Sequence, residues 1–223
     1  MADETPRFIR RLVTDVPPVR PLAPPWIRTA AWCGISLPVV GLIVVLMSRA
    51  GGSWAGSDRL TFEQIAALAT GIAAAAAAFA STVPGYDRRI ALLPLAPLAI
   101  WLGNLAQRCV RDGVASESHS WSLLAHWGCL PETLIVGAVP AVTVVAMLRR
   151  GAPLTPRLTT MLGALAAGGL ANFGIRCVHA LDSSLVVLTW HFSGVFALSL
   201  ASTLVGRYLF NWRRLSDRLD TVS

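Results

Sequence analysis

Long apolar runs separated by short polar segments dominate the chain. Six of the runs approach the roughly 20 residues that a helix needs to cross a bilayer, and they cover residues 29–47, 65–83, 90–106, 131–148, 159–176 and 186–206. The polar segments between them carry turn-forming glycine or proline. The pattern therefore predicts an all-α integral membrane protein, in which residues 29–210 form a six-transmembrane-helix bundle.

A different pattern precedes the first run. Between Thr5 and Val16 apolar residues recur at helical spacing with arginines on the opposite side, which predicts a short amphipathic helix. The segment from Pro17 to Pro25 is rich in proline and should form an extended, stiff spacer. We expect residues 1–28 to form a tail whose helix lies on the inner leaflet or docks a protein.

Composition and charge fix the class and the expected orientation. The chain is 54% hydrophobic and 14% charged, whereas soluble domains have about a quarter of their residues charged. All 19 basic residues are arginine, and 14 of them fall in the segments that are cytoplasmic if the N-terminus is inside. The positive-inside rule then predicts that both termini, including the C-terminal tail 211–223, are cytoplasmic. The net charge of +7 reflects this topology, so it does not indicate nucleic-acid binding.

Motifs for enzymatic chemistry are absent from the sequence. It contains no metalloprotease, serine-hydrolase or phosphate-loop signature, and the predicted spans lack the buried charges that transporters usually need. Small residues in the second and fifth runs predict helix-packing faces. Asn104 and Asn172 are expected to form hydrogen bonds between helices. The sequence therefore predicts a protein that is not an enzyme.

Cys129 and Cys177 flank the fourth and fifth runs, and the midpoint between them lies in the polar turn 149–158. In an antiparallel helical hairpin, both thiols should emerge at the same depth on the outer face. The pair is compatible with a structural disulfide, a reversible redox switch or a metal site. A metal site would draw further ligands from nearby outer residues, namely His126, His179 and Cys109. Cys33 stands alone and is expected to fill apolar space.

Two longer segments resemble a known family. The tail sequence DVPPVRPLAPPWIR, Asp15–Arg28, is similar to the N-terminal signature of the NrsF family of six-span anti-sigma factors. The segment Gly169–His191 resembles the part of that family that contains one of its cysteines, and Cys129 matches the other. The resemblance extends over nearly the whole chain.

This resemblance implies a multi-pass protein of the bacterial inner membrane that inhibits an extracytoplasmic-function sigma factor. It implies that Cys129 and Cys177 sense metal or oxidative stress, with transient heavy-metal binding and no resident cofactor. The sigma factor should be held by the tail and the inner turns. The expected contacts are Asp15, Pro18, Val19, Pro21, Leu22 and Arg28 in the tail and Arg149 and Arg150 in the turn. The competing interpretation is a small metal-handling or transport protein that uses the outer Cys/His cluster as a receptor.

Overall fold

The computed structural model describes residues 4–15, 22–49, 62–115, 129–151 and 155–178. Within these ranges the chain forms α-helices and one 3₁₀ helix, Arg88–Leu92, and no strand. The α-helices are α1 (Glu4–Asp15), α2 (Pro25–Arg49), α3 (Phe62–Ala80), α4 (Leu95–Ala115), α5 (Cys129–Leu148) and α6 (Pro156–Val178).

Five segments of the described chain are long and apolar enough to cross a membrane. They correspond to the first five predicted runs, so the helical character of those runs is confirmed. The sixth run, 186–206, and the C-terminal tail, 211–223, lie outside the described residues. The six-span count and the orientation of the termini therefore stay predictions.

The short amphipathic helix that the tail pattern predicted is confirmed as α1. Phe8, Ile9 and Val13 expose their apolar side chains on it, and Thr14 donates its hydroxyl hydrogen to the carbonyl of Arg10. This helix does not pack extensively against any other described helix. The tail therefore presents an apolar surface outside the bundle.

Helix α2 begins at Pro25, four residues before the predicted start of the first span. Proline is favoured at the first position of a helix, because its fixed φ is already helical and its missing N–H would have no partner there. The carbonyl of Pro24 accepts hydrogen bonds from the amides of Ile27 and Arg28, both at 3.1 Å. Arg28 therefore belongs to the helix rather than to the tail.

The third run is divided into two helices. Asp87 caps the 3₁₀ helix through a 2.9 Å hydrogen bond from the amide of Arg89, and α4 then extends to Ala115. Pro94 and Pro97, which fall inside the predicted run 90–106, lie just before α4 and in its first turn. A proline at that position removes no intrahelical hydrogen bond.

The two asparagines within the predicted spans do not donate hydrogen bonds to neighbouring helices. Asn104 and Asn172 donate to carbonyls four residues back in their own helices, at 2.7 and 3.0 Å, so the prediction of interhelical bonds was wrong. A side chain that reaches its own helix backbone needs no neighbouring helix. Instead Trp32 of α2 donates its indole N–H to the carbonyl of Pro140 in α5 at 3.0 Å.

The closest helix packing is between α3 and α6, where backbone meets backbone. A Cβ atom on Gly169 would lie 2.8 Å from the amide nitrogen of Gly71 and 2.9 Å from the carbonyl oxygen of Ala67. A Cβ atom on Gly71 would lie 3.1 Å from the carbonyl oxygen of Ala166. Small residues permit this approach, which increases van der Waals contact between the two helices.

Helix α6 also uses glycine against its other neighbours. Gly174 lies against Val40 of α2 and Val136 of α5, and Gly163 lies against Leu148 of α5. The predicted packing faces on the second and fifth runs are confirmed by these contacts and by the burial of the alanines in α3. Helix α6 is therefore the element around which α2, α3 and α5 assemble.

Substitution of Gly169 by alanine tests this packing. The added methyl group has no space against α3, so we expect a loss of about 1–3 kcal/mol in the free energy of unfolding. Gly41→Ala is the matched control, because a Cβ atom at that helical position would meet nothing within 4 Å. Thermal unfolding of both variants in the same detergent measures the difference. Equal stability of the two variants would contradict a backbone contact at Gly169.

Candidate functional site

The described helices alternate in direction, so their ends form two layers. In one layer, here called the Arg28 end, the first turn of α2 contacts the ends of α3 and α5, and the end of α3 contacts the start of α6. In the other layer, the Cys177 end, the start of α3 contacts the end of α6. The predicted partner-binding residues that lie in the described helices of the bundle and their turns belong to the first layer.

Arg28 is buried and ties three helices together. Its guanidinium donates to the hydroxyl of Thr82 after α3, at 2.8 Å, and to the carbonyl of Met147 in α5, at 2.6 Å. The guanidinium carbon also lies 4.6 Å from the centre of the Phe79 ring. The side chain that the sequence assigned to partner binding is therefore engaged inside the protein.

The ends of α3 and α5 explain why a positive charge is stable here. The last carbonyls of a helix lack intrahelical donors and carry the negative end of the helix dipole. Arg28 binds the Met147 carbonyl directly, and Thr82 passes its own hydroxyl hydrogen to the carbonyl of Phe79 at 2.7 Å. The aromatic face adds a cation–π interaction. One guanidinium thus satisfies two helix C-termini at once.

The turn after α5 packs against the same threonine. A Cβ atom on Gly151 would lie 2.7 Å from the Cβ of Thr82, so only glycine fits without displacement. The hydroxyl groups of Ser81 and Thr159 lie 2.7 Å apart and join the end of α3 to the start of α6. Movement of α5 or α6 at this end therefore disturbs the surroundings of Arg28.

A groove opens beside Arg28 at the foot of α2 and α5. Its volume is about 250 Å³, and its lining is mostly apolar: Leu22, Ala23, Ile27, Arg28, Ala31, Met147 and Arg150. Three of the predicted partner-binding residues, Leu22, Arg28 and Arg150, line this groove. Arg149, next to it in the chain, is exposed.

The Arg28 end is strongly positive. Five arginines of the described segments at this end are exposed: Arg88, Arg89, Arg149, Arg150 and Arg157. The acidic residue in those segments, Asp87, already caps the 3₁₀ helix. An apolar groove among exposed guanidinium groups suits an amphipathic partner segment that carries carboxylates.

At the opposite end, the thiol of Cys177 points to α3. It accepts a hydrogen bond from the side-chain amide of Gln64, with 3.7 Å between nitrogen and sulfur. It also donates its own hydrogen to the carbonyl of Phe173 at 3.4 Å. The thiol is half-buried and belongs to the interface between α3 and α6.

A buried ion pair adjoins this thiol. The Nε of Arg176 lies 3.5 Å from a carboxylate oxygen of Glu63, and the two side chains are only 9% and 4% exposed. Glu63 is in the first turn of α3 and Arg176 is in the last turn of α6. Each charge therefore complements the dipole of its own helix, which offsets part of the cost of burial.

Cys129 is the first residue of α5, and Cys177 is the last but one of α6. Both therefore lie at the same end of the hairpin, as the sequence predicted. Their depths differ, however. Val136 faces Gly174 and Gly137 faces Ala171, and this register puts Cys129 about one turn, roughly 5 Å, farther along the hairpin axis than Cys177. The glycine contacts set the register, so the midpoint of the turn did not predict it.

Other predicted site residues are not tested by the geometry. Pro18, Val19, Pro21, His126 and His179 lie outside the described residues. Asp15 ends α1 and Cys109 lies in α4, but their side chains are likewise outside the described part of the structure. Among the described residues, no three His, Cys, Asp or Glu side chains come together as a metal site.

The sequence interpretation missed Glu63, Gln64, Arg176 and Thr82. Each stands at the edge of an apolar run, where a polar residue is usually taken as a loop position. A charged residue of opposite sign at the ends of two runs was the available signal for Glu63 and Arg176. That signal identifies a pair only once α3 and α6 are known to be neighbours.

Replacement of Arg28 by lysine tests its structural role. A lysine ammonium lacks the planar fork that binds Thr82 and Met147 together and stacks on Phe79, so we expect the free energy of unfolding to fall by about 1–3 kcal/mol. Arg157→Lys is the control at an exposed position. Denaturant titration in detergent measures both variants. If Arg28→Lys were as stable as the control, the buried contacts would not stabilise the bundle.

Comparison with known proteins places the chain in a family. No curated protein and no solved structure matches it. A family model described as NrsF, negative regulator of sigma F, matches residues 12–212. This match begins in α1, includes every helix from α2 to α6 and covers most of the chain. The chain therefore belongs to the NrsF family of negative regulators of a sigma factor.

Proposed function

We propose that the protein is an inner-membrane anti-sigma factor for an extracytoplasmic-function sigma factor. It holds the sigma factor at the Arg28 end, on the cytoplasmic side. It releases the sigma factor when Cys129 and Cys177, on the opposite side, respond to metal or oxidative stress. Family membership supports the sigma-factor partner. The remaining elements of the proposal rest on the arrangement of the helices.

One observation carries the proposal. Helices α5 and α6 bear the two cysteines at one end, and the turn with Arg149 and Arg150 joins the same two helices at the other. A chemical change at the cysteines therefore acts on the rods that carry the candidate partner surface. Within a bilayer such helices move as stiff elements, so a displacement at one end reaches the other.

Charge supports the assignment of sides. The exposed arginines of the described segments concentrate at the Arg28 end, in the turns at 87–94 and 149–157. Arginine in short loops favours the cytoplasmic side. At the Cys177 end, Arg49 and Arg111 are the exposed arginines of the described residues, and Arg176 is paired with Glu63 inside the bundle. This distribution supports a cytoplasmic Arg28 end and an outer Cys177 end.

The groove at the Arg28 end supplies the contact chemistry. Its apolar lining fits aliphatic or aromatic side chains of the partner, and Arg150 at its edge fits a carboxylate. Leu22 of the tail lines the groove, so we expect α1 and the groove to contact the same partner. The sigma factor would bind with an amphipathic, acidic segment.

The axial offset between the two cysteines links their reaction to a movement of α5. A disulfide requires the two Cα atoms within about 7 Å, so joining Cys129 to Cys177 calls for α5 to slide along α6. The carbonyl of Met147 moves with α5, and it is held by Arg28 at 2.6 Å. Sliding of α5 thus loosens Arg28 and changes the groove that Met147 and Arg28 share.

Hydrogen peroxide can oxidise Cys129 and Cys177 to a disulfide. The two thiols lose two protons and two electrons to form the disulfide, and hydrogen peroxide takes them up to form two waters. A thiophilic divalent metal instead displaces the two thiol protons and binds both thiolates. An almost complete switch between two states requires about 5.5 kcal/mol of differential stabilisation. A disulfide contributes about 2–4 kcal/mol and a tight metal site contributes more.

Serine substitution of each cysteine tests the sensor assignment. Cys129→Ser and Cys177→Ser should each abolish stress-induced expression from the sigma-dependent promoter while membrane levels stay normal, because one thiol can form neither the disulfide nor the two-thiolate site. Cys33→Ser is the matched control. Induction is measured with a reporter after exposure to peroxide or cadmium. Normal induction in both variants would remove the cysteines from the mechanism. A change in cellular metal content without a change in transcription would support the transport function instead.

Deletion of residues 2–20 tests the partner surface. Loss of α1 should release the sigma factor and raise basal expression from its promoter in unstressed cells, because the tail is the expected first contact. Arg150→Glu should weaken capture by the groove, with Arg157→Glu as the exposed control outside it. Co-purification of the sigma factor with each variant is the second measurement. Full repression and full capture in both the deletion and Arg150→Glu would refute this surface.

A further inference from the structure

Gln64 and the Glu63–Arg176 pair adjoin the candidate sensor thiol, although nothing in the family match points to them. We propose that these three residues hold the Cys177 thiol in its resting position, so that α3 is the helix that senses a change at the sulfur. They are positioning residues that keep the thiol bound to α3 and retard its reaction. This inference rests on the proposed sensor function of Cys177.

The contacts around the Cys177 thiol join the start of α3 to the end of α6. Two consecutive residues of α3, Glu63 and Gln64, engage two consecutive residues of α6, Arg176 and Cys177. Gln64 is buried, with 5% of its surface exposed. The ion pair therefore fixes the relative position of the two helices at the place where Gln64 meets the sulfur.

Buried charges make this position specific. Two opposite charges in apolar surroundings are stable only while they remain together, so α3 and α6 cannot separate here at low cost. About two turns away along α3, Gly71 is in backbone contact with Gly169. The ion pair and the glycine contact together hold Gln64 at a defined distance from Cys177.

Both proposed signals, oxidation and metal binding, remove the hydrogen of the Cys177 thiol. In the resting state Cys177 donates it to the carbonyl of Phe173. Formation of a disulfide with Cys129 transfers the thiol hydrogens, as protons with two electrons, to peroxide and yields two waters. A thiophilic divalent metal displaces the same hydrogen as a proton. In each case the sulfur of Cys177 forms a new bond to a group outside the α3–α6 interface. Formation of that bond competes with the contact between the sulfur and Gln64.

The inference predicts a faster reaction of Cys177 when the holding contacts are removed. The full-length protein, with Cys33, Cys109 and Cys129 replaced by serine, is reconstituted in lipid nanodiscs and treated with a water-soluble maleimide. Gln64→Leu should raise the labelling rate of Cys177 by about fivefold, a factor typical of one lost hydrogen bond. Gln107→Leu is the control, since Gln107 is an exposed glutamine of α4.

Charge variants separate positioning from general stability. Glu63→Gln should also raise the labelling rate, and Arg176→Lys, which keeps the charge, should leave it nearer to that of the parent. Rates are compared on monodisperse protein, and Gln64→Ala replaces Gln64→Leu if the latter gives poor yield. Labelling rates equal to that of Gln107→Leu in the Gln64 and Glu63 variants would overturn the inference.

A reporter measurement distinguishes this inference from the proposed function. In the protein with all four cysteines, Gln64→Leu should lower the peroxide concentration for half-maximal induction by about fivefold and leave basal repression unchanged. If Cys177→Ser still permits induction, the sensor function fails, yet the labelling experiment continues to test the holding contacts. If Cys177→Ser abolishes induction but Gln64→Leu leaves both the labelling rate and the half-maximal dose unchanged, the holding role alone is refuted.

Discussion

The contact between the backbones of α3 and α6 is the interaction on which the rest of the structure depends. Helices in lipid gain little from burying apolar surface, so their association depends on close van der Waals packing. Gly71 and Gly169 provide that packing, because a methyl group would overlap the backbone of α3 at Gly169 and would lie only 3.1 Å from the carbonyl oxygen of Ala166 at Gly71. With α3 and α6 fixed in this way, the remaining glycines of α6 determine where α2 and α5 can lie.

The buried charged residues of the described helices lie at the two ends of the bundle. Arg28 lies among the last carbonyls of α3 and α5, and Glu63 and Arg176 lie at the start of α3 and the end of α6. Helix dipoles favour each of these charges at its location. The apolar middle of the bundle consequently separates two polar networks that share the same helices. In the proposed mechanism, these shared helices carry a change from one network to the other.

The sequence predicted the features that depend on neighbouring residues in the chain. Apolar run length predicted the five described spans, and alternating apolar and basic positions predicted α1. Interactions across the bundle could not be predicted in the same way. The proline-rich pattern predicts a tail that ends at Arg28, whereas Pro25 begins α2 and brings Arg28 into the helix. Glu63 and Arg176 are separated by more than 100 residues in the chain, and their pairing depends on which helices are neighbours.

The site was predicted in part for the same reason. The hairpin formed by α5 and α6 is local, so its two cysteines could be assigned to one end from sequence spacing. The axial offset between them depends on how Gly137 and Gly174 pack, which spacing does not encode. The partner of the Cys177 thiol, Gln64, comes from α3 and could be found only from the three-dimensional arrangement.

The burial of Arg28 has a consequence for the strength of partner capture. Because the first turn of α2 is anchored, the tail leaves the bundle from a fixed point, and nine residues, 16–24, separate it from α1. Such a segment spans at most about 30 Å. Under the proposed function, a sigma factor bound to α1 would stay near the exposed arginines at an effective concentration in the millimolar range. Two individually weak contacts, one with α1 and one with the groove, would then suffice for tight retention, and loss of either contact would allow rapid escape.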